Sequence, residues 1–156
     1  MTRYEKMSTL FDKDFRVIES FPRRVQKEKD SFYEEVFRYY DQDKHRKIFT
    51  EKAIALILKV LCYVTCEIYV QDYSPFHKKR EGWLQDRRCP TIARLVRKIL
   101  MKRKGQIDFV LLDEKAIISV SGDTGGVAVY HESRYLKGLL DDLVPAEGLY
   151  IWDFHI

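Results

Sequence analysis

The stretch "QIDFVLLDEKAIISVSGDTGGVAVYH", Gln106 to His131, decides how the chain is read. It holds three short runs rich in β-formers, "QIDFVLL", "AIISVSG" and "VAVYH", separated by "DEK" and "GDTGG". Those separators carry the residues that tight turns prefer, so the pattern is an antiparallel meander. Just downstream, "ESRYLKGLLDDLV" sets Leu136, Leu139, Leu140 and Leu143 at helical spacing, and "GLYIWDF" reads as a closing strand. Residues 106–156 therefore read as βββαβ.

Upstream the periodicity becomes helical. Phe32, Tyr33, Val36, Phe37 and Tyr40 fall on one face after Asp30, a plausible cap, which predicts a helix over Asp30–Tyr40 that buries an aromatic stripe. "TEKAIALILKVLCYV" opens on Thr50, a capping residue, and is apolar on most sides, as a central helix is. "CEIYVQDY" alternates and predicts a strand from Cys66 to Tyr73. The charged segment "HKKREGWLQDRRC" follows as a loop. In "CPTIARLVRKILMKRKG", Pro90 suits a first turn and Gly105 a C-cap. That helix turns Ile92, Leu95, Val96, Ile99 and Leu100 inward, with Arg94, Arg97, Lys98 and Lys102 opposite. The first twenty residues lack a clean period and read as a short helix or an arm.

The expected fold is α+β. A helical N-terminal half, about 1–105, packs on a C-terminal antiparallel β-meander, about 106–156, in a single domain over 1–156. A chain of 156 residues buries about two thirds of its unfolded surface, enough for a core without staples. No repeat, low-complexity tract or linker interrupts it.

Charge is unevenly distributed. Residues 1–76 carry 14 basic and 13 acidic groups, residues 77–104 carry 11 and 2, and residues 105–156 carry 3 and 9. The basic block contains Lys78, Lys79, Arg80, Arg87, Arg88, Arg94, Arg97 and Lys98, with Trp83 available for stacking. That combination suits a polyanion such as nucleic acid. The acidic module carries Asp123, Glu132, Asp141 and Asp142 beside Trp152, and acidic surfaces with aromatic anchors suit capture of a basic protein.

Motifs specific to a reaction are missing. Cys62, Cys66 and Cys89 find no close pair among His45, His77, His131 and His155, so zinc's four ligands are not assembled and neither metal nor cofactor is expected. The cysteines are expected to be buried free thiols; Cys89, before a helix start and after Arg87 and Arg88, is the one whose surroundings favour a thiolate. "SGDTGG" reads as a hairpin turn, because it lacks the Lys and the trailing helix of a phosphate loop. Asp108 with Asp113, Glu114 and Lys115 superficially fits a metal-dependent nuclease, but the triplet falls in a turn. No catalytic residue is assigned.

The expectation is a non-enzymatic binding protein: an inhibitor of immunity-protein or antitoxin type, whose partner is a basic toxin or nuclease. Nucleic-acid binding through residues 77–104 is the first alternative and a nuclease the second. The odd cysteine count and charged N-terminus fit a reducing cytoplasm. The apolar run Ala53–Val64, interrupted by Lys59, falls short of the ~20 residues of a membrane span, so none is expected.

Overall fold

The computed structural model describes residues 8–11, 14–21, 30–72 and 80–154, the side chains of Asp30, Ser31 and Arg80 excepted. In chain order the elements are β1 (Phe15–Glu19), α1 (Asp30–Tyr40), α2 (Asp43–Val60), β2 (Cys66–Asp72), β3 (Arg80–Trp83) and α3 (Cys89–Lys102). They continue with β4 (Gln106–Leu111), β5 (Ala116–Ser121), β6 (Gly126–Tyr130), α4 (Arg134–Ala146) and β7 (Tyr150–Phe154). The strands form one seven-stranded sheet in the order β3-β2-β4-β5-β6-β1-β7. Every neighbouring pair is antiparallel.

The meander is present as β4, β5 and β6, followed by α4 and β7. The expected division into a helical half and a β half is corrected. β1, β2 and β3 come from the N-terminal part, and β1 lies between β6 and β7. The segment read as a short helix or arm thus holds a strand inside the sheet, with Ile18 fully buried. The segment read as a loop holds β3, which pairs Arg80–Trp83 with Tyr69–Asp72.

Alternation explains the core. One face of the sheet presents Ile68, Val70, Ile107, Phe109, Leu111, Ile118, Val120, Val127 and Val129, all buried against the helices. Each of these side chains contributes about 1.5–3 kcal/mol by leaving water. α3 supplies Ile92, Leu95, Val96, Ile99 and Leu100, as its periodicity predicts. α4 supplies Leu136, Leu140 and Val144, and Ser133 caps it by accepting from the Leu136 amide at 3.0 Å.

Several boundaries differ from expectation. α2 starts seven residues before Thr50, which is buried mid-helix and donates to Met101 Sδ rather than capping. α3 ends at a left-handed Arg103 (φ 58°) rather than at Gly105. Gly105 answers a different need: at φ 85° a Cβ there would stand 2.7 Å from the Gln71 carbonyl oxygen of β2. Asp30, expected as a cap, is the first residue of α1. The aromatic stripe of α1 is only partly covered, with Phe32 68% and Phe37 44% exposed. Among the described residues no helix is long and apolar enough to cross a membrane.

Candidate functional site

Since α2, α3 and α4 cover one face of the sheet, the alternate residues of every strand point to the other. The registers align them in rows across the sheet. One row runs Tyr69, Asp108, Ser119, Ala128, Val17, Trp152, and its neighbour runs Val110, Ile117, Tyr130, Phe15, Phe154. Among the described residues, two pieces of chain stand over this face. Leu10 packs on Tyr69, Val110 and Ile117 at one end, and α1 stands at the other.

A cleft of about 1000 Å³ is left between them. Its walls are aromatic: the Phe15 ring lies 4.9 Å from Tyr130 and 5.0 Å from Phe154, and Phe11 meets Tyr130 edge-on at 5.0 Å. Tyr33 and Phe37 face it from α1. Small residues, Ser119, Ala128 and Gly126, form the floor and give it depth. Polar groups gather along one edge, where Gln106, Ser119 and Ser121 line the cleft.

Beneath that edge lies Asp108, only 1% exposed. Gln106 Nε2 donates to its two carboxylate oxygens at 2.9 and 3.1 Å. Burial pushes the Asp108 carboxyl above its ordinary range, and the hydrogen bonds from Ser119 and Gln106 offset this only in part. The Tyr130 hydroxyl is pushed up too, by burial first and then by the charge of Asp108. The Trp152 indole N–H is buried beside the cleft with no acceptor among the described residues.

The residues proposed from sequence are dispersed. Glu132 and Asp141 do meet, at Arg16. Its Nε donates to Glu132 Oε1 at 2.6 Å, its Nη2 to Oε2 at 2.8 Å and its Nη1 to Asp141 Oδ1 at 2.7 Å. Burial opposes the Arg16 charge, yet the two carboxylates overcome it and raise its pKa. Asp123 lies in the β5–β6 turn and Asp142 on α4, both exposed. Trp152 looks to the other side of the sheet.

In the basic set, Lys78 and Lys79 lie outside the described residues, as does the side chain of Arg80. Trp83 packs edge-on against Tyr69 at 5.1 Å on the open face. Arg87 donates to the Cys66 carbonyl at 2.8 Å, Arg88 pairs with Asp86, Arg97 with Glu51 and Lys98 with Asp72. Arg94 is exposed, with no ion pair among the described residues. Trp83 is thus divided from the α3 cations by the thickness of the sheet.

The expectation of buried thiols holds only for Cys66, pushed up to about 11 by burial; Cys62 and Cys89 are exposed. Asp113, Glu114 and Lys115 lie in the β4–β5 turn, and three strand residues, about 10 Å, separate that turn from Asp108. The cleft residues Phe15, Ser119, Ala128, Tyr130 and Phe154 carry no motif. Their period-two alternation assigns them to one face, and only the placement of the helices shows that this face stays open. No protein family matches the chain, and neither does any curated protein or solved structure.

Proposed function

We propose that the protein acts by binding, and that its ligand is a small, flat, largely apolar molecule held in the cleft on the open face of the sheet. One observation carries this reading. A concavity of about 1000 Å³, walled by aromatic rings and edged by a few polar groups over a buried, perturbed carboxyl, has the anatomy of a small-molecule site. Rings supply contact area, and Gln106, Ser119 and Ser121 fix orientation by hydrogen bonds.

N-phenyl-1-naphthylamine, a neutral flat dye, tests it. Saturable binding at one site per chain, with a blue-shifted emission, is expected. Ala128→Trp fills the floor from a β-favouring position and should abolish that binding while leaving the unfolding temperature within a few degrees. Absence of saturable binding, or equal binding by the variant, overturns the reading.

Capture of a protein partner is the second reading, favoured by a separate observation. Phe32, Tyr39, Tyr40 and Ile48, on α1 and the start of α2, are 68, 49, 46 and 54% exposed. Exposed aromatic groups of this kind mark interfaces. A photo-crosslinking residue at position 32 should give one dominant protein adduct in the native cell, and the reading fails if none forms.

A further inference from the structure

A smaller recess opens beside the cleft, sharing Glu19, Phe37, Thr124 and Gly126 as walls. It contains Arg46, which is 8% exposed. The three sides of this guanidinium have different fates. Nε donates to the Leu100 carbonyl at 2.6 Å, satisfying an end carbonyl of α3. Nη1 donates to Asp41 Oδ1 at 3.0 Å. Nη2 makes no hydrogen bond among the described residues and faces the β5–β6 turn, where a Cβ on Gly125, at φ 69°, would stand 2.6 Å from it.

Among the described residues, the ion pairing of Arg46 is shared. Arg103 takes the other oxygen of the same carboxylate, Asp41 Oδ2, at 2.8 Å, so two guanidinium groups share one aspartate. Asp43 is the next acid, 3.8 Å from Arg103 and 86% exposed. Burial, and then the neighbouring Arg103, lower the pKa of Arg46, the signature of a cation short of negative charge. Glu19, on the shared wall, is engaged in an interaction of its own.

We propose that this recess is an anion subsite, in which Arg46 and the glycine turn Thr124–Gly126 receive a carboxylate, sulfonate or phosphate carried by the ligand of the cleft. The proposal rests on the cleft reading and names the missing half of its ligand: a flat apolar body with one anionic group at its end. A guanidinium recognises such an oxyanion by charge-assisted hydrogen bonds, which are stronger inside a recess than in water. Gly125 is required because any side chain there would fill the space beside Nη1 and Nη2.

The test compares two dyes on the full chain. N-phenyl-1-naphthylamine and 1-anilinonaphthalene-8-sulfonate share one aromatic body and differ by a sulfonate. The sulfonated dye should bind about tenfold more tightly, the scale of one charge-assisted contact. Asp41→Asn removes the competing internal carboxylate and should raise sulfonate affinity several-fold while leaving the neutral dye unchanged. Arg46→Gln should erase the preference. If Arg46→Gln fails to fold, Asp41→Asn decides alone, because a merely structural aspartate would weaken both dyes together. Equal affinities in the natural chain, or an Asp41→Asn variant with unchanged or lower sulfonate affinity, overturn the subsite. Failure of the cleft itself looks different: neither dye binds, or Ala128→Trp leaves both bound.

Discussion

Asp108 is the residue on which the open face is most sensitive to pH. Its raised folded pKa means that the folded chain holds the proton more tightly than the unfolded one. The stabilisation that follows is complete below the unfolded value, near ~4, and is lost as pH rises through the folded value. Asp108→Asn keeps the shape and the acceptor for Gln106 and removes the titration. Urea unfolding should therefore show the natural chain losing stability relative to this variant as pH rises from about 4 through the folded pKa of Asp108. Parallel curves for the two proteins would refute the assignment. From sequence, Asp108 stands out only through a superficial fit to a nuclease beside the Asp113–Lys115 triplet, a fit set aside because the triplet falls in a turn; acid spacing shows in a sequence and burial does not. What sets its chemistry is the covering of its strand by neighbours that are distant in the chain.

At the scale of elements, the Arg16 cluster ties β1 to α4 and to the segment between β6 and α4. The side chains of Arg16 and Glu132 are only 12 and 10% exposed, so removing one partner strands the other. Arg16→Met should destabilise by about 3 kcal/mol, and Arg16→Met with Glu132→Leu by clearly less, since the double change leaves no buried charge unpaired. Chemical denaturation of both variants checks this; additive losses would show that the pair is not coupled. Elements with strong internal periodicity, α3, α4 and the meander, stand where their sequences place them to within about three residues. β3, "REGW", escapes the sequence because it is only four residues long and mixes charge with Gly82, although its partner is the preceding strand, and β1, "FRVIE", because it is short and its partners are distant. β1 pairs with Tyr130–Val127 and with Phe154–Tyr150, more than a hundred residues away. The start of α2 is missed for a local reason: Asp43 to Phe49 is mostly polar, and Thr50 looks like a cap when its surroundings are unknown.

In the whole molecule, the charge imbalance along the sequence is partly offset in space. Cations of the basic block pair with Glu51, Asp72 and Asp41 of the first half, while Glu132, Asp141 and Glu147 of the acidic module pair with Arg16 and Lys59. Arithmetic on segments cannot reveal this, since it depends on which surfaces touch. The sheet order carries a prediction of its own. β7 pairs only with β1 among the described strands, so a chain beginning at Asp30 loses β1 and leaves β6 and β7 with unpaired edges. Such a truncation should be insoluble or should lose its sharp thermal transition by circular dichroism; a stable, cooperatively melting fragment would contradict the topology. The same interleaving sets a timetable for synthesis. Residues 15–19 leave the ribosome early but find both neighbours only once residues 126–130 and 150–154 have followed, so the sheet closes late in the order of synthesis, after both of those segments have emerged. Until then the nascent chain displays an apolar strand in search of an edge, and its yield in the cell depends on how well that interval is guarded.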